Sequence, residues 1–217
     1  MTLAIFDLDH TLLTGDSDYL WGEYMVENNI VDEQKFRARN KVFYQEYQRG
    51  TLNNERYLKF ALEPLTHFTI EELYTWRADY VKKWIKPLIA PGAAKLLDSH
   101  RASNHELLII SATHLFITAP IAQLLEVPTV LATEPEIIDN RYTGRYLGTP
   151  TYQEGKVTVL TEWLGDSDHS LDGSYFYSDS INDISLLELV DNPKAVNPDD
   201  ELKAIAEDRN WEIIDLL

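Results

Sequence analysis

The sequence predicts an α/β fold, in which a parallel sheet is covered by helices on both faces and an all-helical segment is inserted after the first strand. From residue 93 onwards, short apolar runs alternate with helical patterns, as in parallel sheets with helical crossovers. Between residues 17 and 87 the patterns are helical throughout. A three-layer, Rossmann-like sheet core with a helical insertion accounts for both observations, and 217 residues suffice to build it.

The first predicted strand covers residues 3–8, an apolar run that ends in acidic residues and a threonine, as a buried parallel strand does. The insertion then contains four helical stretches, at residues 19–28, 32–49, 54–62 and 70–85. Asp32, and Thr69 together with Glu72, are typical of helix starts. We expect no strand within this insertion.

Strands and helices alternate in the remainder of the chain. Strands are predicted at residues 106–111, 129–132, 174–177, 195–196 and 212–214. Helices are predicted at residues 93–100, 116–125, 156–164, 184–190 and 201–209. Between residues 134 and 151, the turn sequence from Asn140 to Gly144 indicates a hairpin rather than another crossover.

Composition limits the classes of partner. The formal net charge of −17 argues against DNA and RNA, because nucleic-acid binders use Lys and Arg to displace counterions. The absence of cysteine excludes disulfides and thiolate metal sites, and the six histidines lack the spacing of a zinc site. No uncharged apolar run approaches the roughly 20 residues of a membrane-spanning helix, and the start lacks a basic leader. We therefore expect a cytoplasmic protein with no membrane partner.

Two carboxylates lie at the end of the first predicted strand, in the sequence Asp7-Leu8-Asp9-His10-Thr11. Ligands of parallel sheets bind beyond the carboxyl ends of the strands, and Asp7 and Asp9 point to the same side of an extended chain. Such a pair can bind a divalent cation and leave one carboxylate to act as nucleophile or proton carrier. Taken alone, the segment is also consistent with an acidic turn.

Two further segments can supply contacts to an anion. Ser111 and the backbone N–H of Ala112 follow a predicted strand and can form an oxyanion site, although a serine in this place is also a common helix cap. Lys156 lies near a predicted helix start, where the helix dipole disfavours a cation. This position favours a contact with phosphate or with Asp7, and a solvated surface lysine is the alternative.

The last polar segment follows the predicted strand at residues 174–177. Asp179 at the strand end can bind a metal ion, and Asn182 and Asp183 can position that carboxylate or its waters. An aspartate or serine that caps the next helix is an equally good reading of this segment alone. The four segments together supply a nucleophile, an acid/base group, an anion site, a cation and metal ligands.

This combination resembles the haloacid dehalogenase superfamily. The matching motifs are the DxDxT sequence from Asp7 to Thr11, the strand-end Ser111, Lys156, and the DxxxD sequence from Asp179 to Asp183. The resemblance covers nearly the whole chain. It implies a core domain of residues 1–15 and 88–217, with a helical cap domain of type C1 at residues 16–87 that is most similar to the cap of phosphoserine phosphatases.

The resemblance also implies a magnesium-dependent phosphatase with an aspartyl-phosphate intermediate. Asp7 would attack phosphorus, Asp9 would protonate the leaving alcohol and activate water, and Ser111 and Lys156 would bind phosphoryl oxygens. Asp7, the Asp9 carbonyl and Asp179 would hold Mg²⁺. The acid at position 9 selects phosphate hydrolysis, because the dehalogenase branch lacks an acid there.

Further residues receive supporting roles from the same resemblance. Thr11, Ala112 and Asn182 are assigned to phosphate or substrate binding, with Thr11 also steadying the loop of the nucleophile. Asp183, together with Asn182, supports the metal and the lysine.

Specificity is expected in the cap and just after the first motif, at Asp16, Ser17, Asp18, Trp21 and Tyr24. The two acids suit a cationic group, and in the phosphoserine phosphatases that this chain resembles, an acid near the place of Asp16 binds the substrate amine. The resemblance therefore implies a small amino-alcohol phosphate, and histidinol phosphate ranks first because some bacterial relatives of this subgroup dephosphorylate it. Phosphoserine ranks second because its carboxylate would need an arginine from the cap. The aromatic residues of the insertion have the helical spacing of a core, which is favoured over stacking on substrate for Trp21, Tyr24, Phe43, Tyr44 and Tyr47. A phosphotransferase or phosphomutase and a non-catalytic phosphate-binding protein remain alternative functions.

Overall fold

The computed structural model describes residues 2–217 and contains a six-stranded parallel sheet. The strands are β1 Leu3–Phe6, β2 Glu106–Ser111, β3 Thr129–Ala132, β6 Tyr175–Ser178, β7 Asn192–Val196 and β8 Glu212–Ile214. They lie side by side in the order β3-β2-β1-β6-β7-β8. The predicted parallel α/β fold is therefore confirmed. In register, Phe6 of β1 pairs with Ile109 of β2 on one side and with Tyr177 of β6 on the other. The carboxyl ends of these three strands consequently meet at one edge of the sheet.

The sheet separates two hydrophobic clusters. Alternate residues of β1 point to opposite faces, so Ala4 and Phe6 belong to one cluster and Leu3 and Ile5 to the other. Helices α5 Ala93–Ala102 and α6 Leu115–Leu124 cover the first face, and α7 Glu154–Gly165, α8 Ile184–Leu187 and α9 Asp200–Asp208 cover the second. All four β1 residues are completely buried, which agrees with a central strand covered on both faces.

The insertion after β1 is helical, as predicted. Its helices are α1 Ser17–Glu27, α2 Glu33–Gln48, α3 Asn54–Leu62 and α4 Ile70–Tyr80, with a 3₁₀ turn at Glu63–His67 and a π turn at Val81–Ile85. The predicted starts are confirmed: the Asp32 side chain accepts a hydrogen bond from Lys35 N, and Thr69 and Glu72 form a reciprocal capping box. Among residues 2–217, no helix has both the length and the apolar character required to span a bilayer.

The predicted hairpin is also present. Strands β4 Glu134–Ile138 and β5 Arg141–Leu147 pair in antiparallel fashion, separate from the main sheet. Tyr142 is buried and its ring packs edge-on against Phe116 of α6. Gly144 has a φ of +80°, and a methyl group there would lie 3.0 Å from the Thr66 side chain. The hairpin thus packs closely against the 3₁₀ turn of the insertion.

Candidate active site

The strand ends bring the predicted site residues to one edge of the sheet. Asp7 follows β1, Ser111 ends β2 and Asp179 follows β6, and the backbone N–H of Asp7 donates to Tyr177 O at 2.8 Å. A pocket lies between this edge and the inserted helices. Its lining residues are Asp7, Asp9, Asp16, Asp18, Tyr19, Asn40, Phe43, Tyr44, Tyr47, Leu52, Asn54, Tyr57, Ser111, Ala112, Thr113 and Tyr152.

Lys156 joins two carboxylates at the base of this site. Its Nζ lies 2.7 Å from Asp7 Oδ1 and 2.8 Å from Asp183 Oδ2, and the Ser178 hydroxyl donates to the same Asp183 oxygen at 2.7 Å. Burial lowers the pKa of the Lys156 ammonium, but Asp183 and Asp7 outweigh it and raise that pKa above its ordinary value. The side chain is 2 % exposed and charged, so it is not the solvated surface lysine of the alternative reading.

A close backbone approach fixes where Lys156 stands. A Cβ atom at Gly155 would lie 1.9 Å from the carbonyl oxygen of Pro150, so only glycine allows this loop to pack on the start of α7. Gln153, which precedes the helix, has a φ of +50°, a conformation that a side chain normally disfavours. The local chain therefore tolerates strain to direct Lys156 towards Asp7.

Both oxygens of the Asp9 carboxylate have hydrogen-bond donors. The backbone N–H of Ser17 donates to Oδ1 at 2.6 Å, and the Thr113 hydroxyl donates to Oδ2 at 2.8 Å. Burial, and then the charge of Asp16, raise the pKa of Asp9 to about 7. A carboxyl group with this pKa can both donate and accept a proton near neutral pH.

The oxygen donors beside Asp7 suit a divalent cation. Burial first, and then repulsion from Asp7 and Asp183, raise the pKa of the Asp179 carboxyl well above its ordinary value. Asp7 and Asp179 are hard oxygen donors whose mutual repulsion a cation would relieve, which suits Mg²⁺. Across residues 2–217, no three acidic or histidine side chains are grouped as metal ligands. A cation here therefore needs other oxygens, such as the Asp9 carbonyl and water, and Mg²⁺ characteristically keeps several waters.

Two predicted phosphate contacts require correction. Thr11 is completely buried, and its hydroxyl donates to Asp179 Oδ1 at 3.2 Å, so it orients a carboxylate instead of facing the pocket. Asn182 directs its amide towards the cap: Nδ2 donates to Tyr47 O at 3.2 Å, and Gln153 Nε2 donates to its Oδ1 at 3.0 Å. Asn182 thus connects the sheet core to the inserted helices.

Asp16 and Asp18 both line the pocket, as expected for specificity residues. Asp16 Oδ1 caps α1 by accepting from the N–H groups of Asp18 at 2.9 Å and Tyr19 at 2.7 Å, and the Tyr57 hydroxyl donates to Asp18 Oδ2. Burial raises the pKa of Asp16 to about 7 and that of Asp18 to about 6. Within residues 2–217, neither carboxylate forms an ion pair with Lys or Arg.

Trp21 was wrongly included among the substrate contacts. Its side chain is 1 % exposed and its ring stacks on Tyr24 at 5.4 Å, with Tyr80 and Phe116 packed edge-on. It is not among the described side chains that line the pocket. Trp21 holds α1 on α6 and leaves the pocket wall to Asp18, one helical turn earlier.

The aromatic walls of the pocket were missed. The helical spacing assigned Tyr44 and Tyr47 to the core of the insertion, but both line the pocket, as do Phe43, Tyr19 and Tyr57. The assignment to the core is confirmed for Trp21 and Tyr24, which are buried, and Phe43 is buried as well but also contributes to the pocket wall. The only signal for the others was that their side chains carry hydroxyl groups, which a purely apolar core does not require.

Comparisons with known proteins agree with this architecture. The model of the haloacid dehalogenase-like hydrolase family matches residues 4–188. A histidinol-phosphatase of Neisseria meningitidis is 42 % identical over 216 residues, which are 98 % of this chain and 97 % of that protein. A protein of unknown function from Bordetella pertussis is 40 % identical, with a TM-score of 0.93 and full coverage of both chains. A substrate-bound phosphoserine phosphatase is similar in fold, with a TM-score of 0.69, 20 % identity, and coverage of 98 % of this chain and 92 % of its own.

The parallel sheet, the helical insertion and the strand-end carboxylates thus define a hydrolase of the α/β class, and the chain belongs to the haloacid dehalogenase-like hydrolase family. Together with the whole-chain match at 42 % identity, this membership makes it a phosphatase.

Proposed function

We propose that this phosphatase hydrolyses a small amino-alcohol phosphate through a phosphoaspartyl intermediate on Asp7, and that histidinol phosphate is its substrate. A carboxylate oxygen of Asp7 forms a bond to phosphorus while the bond to the ester oxygen breaks, and the leaving oxygen takes its proton from Asp9. The Asp9 carboxylate then accepts a proton from water as the water oxygen attacks phosphorus. This second step releases inorganic phosphate and regenerates the Asp7 carboxylate.

The other residues of the sheet edge neutralise and orient the phosphoryl group. The buried Lys156 ammonium, already 2.7 Å from Asp7, offsets negative charge, and Ser111 and the N–H of Ala112 donate to phosphoryl oxygens. Mg²⁺ bound by the carboxylates of Asp7 and Asp179 and the carbonyl of Asp9 would supply further positive charge.

The proposed substrate follows from the negative charge of the pocket wall. In the described part of the chain, the residues that line the pocket include Asp16 and Asp18 but no lysine or arginine. Two partly buried carboxylates without a cationic partner favour a ligand that carries positive charge, because removing an unpaired charge from water is costly. The name of the Neisseria meningitidis relative, a histidinol-phosphatase, supports a substrate of this kind.

The same pocket disfavours phosphoserine. Its α-carboxylate would meet a wall formed by acids and tyrosines, and no arginine or lysine is among the described residues that line this wall. The fold is therefore similar to that of phosphoserine phosphatase, but the pocket wall lacks the positive charge that the carboxylate of phosphoserine needs.

A phosphate-release assay tests the proposal. We expect kcat/KM to be highest with histidinol phosphate, lower with O-phosphoethanolamine, and lowest with phosphoserine and sugar phosphates. Equal release of alcohol and phosphate, without transfer to an added second alcohol, distinguishes hydrolysis from phosphotransfer. A preference for sugar phosphates would exclude the cationic substrate.

The aspartate and the metal are tested on the same assay. Asp7→Asn should lower turnover by at least about a thousandfold, because the covalent route is lost. EDTA should stop turnover until Mg²⁺ is restored. Full activity in either experiment would contradict the metal-assisted aspartate route.

A further inference from the structure

A buried histidine stands behind one of the pocket carboxylates. His114 Nε2 lies 3.6 Å from Asp18 Oδ1, while the Tyr57 hydroxyl donates to the other oxygen, Oδ2. The His114 side chain is 0 % exposed, and neither of its ring nitrogens has a hydrogen-bond partner among residues 2–217. Such an unpaired buried group calls for a specific explanation.

Three separate parts of the chain meet at Asp18. Asp18 lies in the first turn of α1, Tyr57 comes from α3 of the insertion, and His114 precedes α6 in the sheet core, three residues after Ser111. This convergence fixes the carboxylate of Asp18 relative to the strand ends, where the phosphoryl group binds. The distance between phosphate and any cation bound at Asp18 is thereby fixed as well.

The His114 ring faces the Asp18 carboxylate without neutralising it. Burial lowers the pKa of His114 to about 4, so the ring is uncharged near neutral pH and carries one N–H group. With the proton on Nε2, this group faces Asp18 Oδ1 at 3.6 Å, slightly beyond hydrogen-bond distance. A small shift on ligand binding lets it orient the carboxylate and leaves the negative charge available, whereas a lysine or arginine would cancel that charge. The remaining charged groups near Asp18 are acidic, since Asp16 stands two residues away in the same pocket wall.

The two acids have different neighbours at the start of α1. Asp16 caps the helix and directly precedes Ser17, whose backbone N–H donates to Asp9 Oδ1 at 2.6 Å. Asp18 accepts from the Tyr57 hydroxyl of the insertion and faces His114. The rings of Tyr19 and Tyr44 stack with centroids 4.8 Å apart beside these acids and provide a flat wall for a planar group.

We propose that Asp18, positioned by Tyr57 and His114, is a second cation subsite, which binds a protonated ring nitrogen of the substrate while Asp16 binds the amine nearer to the phosphate. This inference rests on the proposed function and specifies its substrate class: phosphate esters of alcohols that carry an amine and a further, planar cationic group. His114 is a positioning residue, because it acts through Asp18.

A comparison of two substrates tests the cation subsite at Asp18. Histidinol phosphate carries both cations and O-phosphoethanolamine carries the amine alone, so the ratio of their kcat/KM values reports on Asp18. Loss of a charge-assisted hydrogen bond in Asp18→Asn should lower this ratio about 10- to 100-fold. Glu27→Gln, which removes an exposed carboxylate at the end of the same helix, should leave the ratio unchanged.

Substitutions at His114 and Tyr57 test whether these residues position Asp18. His114→Leu removes the donor and should raise KM for histidinol phosphate about 5- to 20-fold with little change in kcat, and His114→Gln should restore most of the loss because its amide can donate. Tyr57→Phe should act in the same direction. Melting temperatures identify any variant that fails to fold. If His114 has a purely structural role, its substitution should change the kinetic constants of both substrates alike.

Binding measurements with the product alcohols test the subsite independently of the proposed function. In calorimetry, the wild-type protein should bind histidinol more tightly than ethanolamine, and Asp18→Asn should abolish the difference, whether or not either phosphate ester is turned over. Turnover of histidinol phosphate with an unchanged substrate ratio in Asp18→Asn would overturn the subsite and leave the proposed function standing. Absence of turnover with both esters would reject the proposed function, and equal binding of both alcohols would reject the subsite.

Discussion

Asp183 lies 2.8 Å from the ammonium of Lys156 and is the second carboxylate that holds it, opposite Asp7 at 2.7 Å. Lys156 therefore pairs both with Asp7, the proposed nucleophile, and with Asp183, which only supports the site. Ser178, at the end of β6, donates to the same Asp183 oxygen and fixes the supporting side. Removal of the lysine affects stability as well as activity, because two buried carboxylates lose their counterion.

Lys156→Met should destabilise the protein by about 3–5 kcal/mol and abolish turnover, since breaking a buried ion pair leaves uncompensated charge. Chemical denaturation measures the first effect and phosphate release the second. Adding Asp183→Asn to Lys156→Met should recover part of the stability but none of the activity. Equal stability of the single and double variants would show that Asp183 carries no charge that the lysine offsets.

Thr113→Val should lower kcat about 10-fold while leaving KM nearly unchanged, because the Thr113 hydroxyl orients Asp9 Oδ2 at 2.8 Å for proton transfer. Steady-state kinetics on the preferred substrate provides the measurement. Thr113→Ser retains the hydroxyl and is the matched control. If serine and valine reduce kcat equally, the methyl group and not the hydrogen bond is what matters.

The sequence predicted the sheet, the insertion and the base of the site because those signals are local. Asp7 and Asp179 directly follow β1 and β6, Asp9 lies two residues after Asp7, and parallel strands bring their carboxyl ends to one edge. The pocket walls were not predictable in the same way. Tyr44 and Tyr47 have the helical spacing of a core stripe, and the face they meet depends on how the insertion docks against the sheet, which periodicity along one helix does not specify.

Single side chains near the site were mispredicted for the same reason. Trp21 and Asp18 are one helical turn apart on α1, but only Asp18 faces the pocket, since Trp21 packs against Phe116 of α6. Likewise, the contact between Asn182 and Tyr47 O joins residues 135 positions apart. Contacts of this range follow from the tertiary structure and leave no short-range pattern in the sequence.

Gly155→Ala should lower both stability and activity, because the added methyl group would meet the Pro150 carbonyl oxygen at 1.9 Å and displace the start of α7 with Lys156. We expect a loss of about 2 kcal/mol or more in the free energy of unfolding. Gly165→Ala, at the other end of the helix, is the control: a Cβ there has nothing within 4 Å in the described part of the chain. Wild-type kinetics in Gly155→Ala would show that the loop does not position the lysine.

His100 should make stability depend on pH below neutrality. It lies on α5 and is buried against Phe6 of β1, with Nε2 2.8 Å from the Tyr177 hydroxyl and Nδ1 2.8 Å from His105 Nδ1. Burial, and then the charges of His105 and Lys194, lower its pKa from 6.5 to about 4. Between these two values the unfolded chain binds a proton that the folded chain does not, so the contribution is fully present above pH 6.5 and is lost as the pH falls towards 4.

The expected loss from His100 is about 1–3 kcal/mol in the free energy of unfolding. Urea denaturation at a series of pH values should give a shallower slope for His100→Gln than for the wild type, whatever the absolute stability of the variant. His67→Gln removes an exposed histidine from the insertion and should leave the slope unchanged. The active-site carboxylates titrate in all three proteins and cancel in the comparison, so identical slopes would mean that His100 takes up its proton as readily in the folded protein as in the unfolded chain.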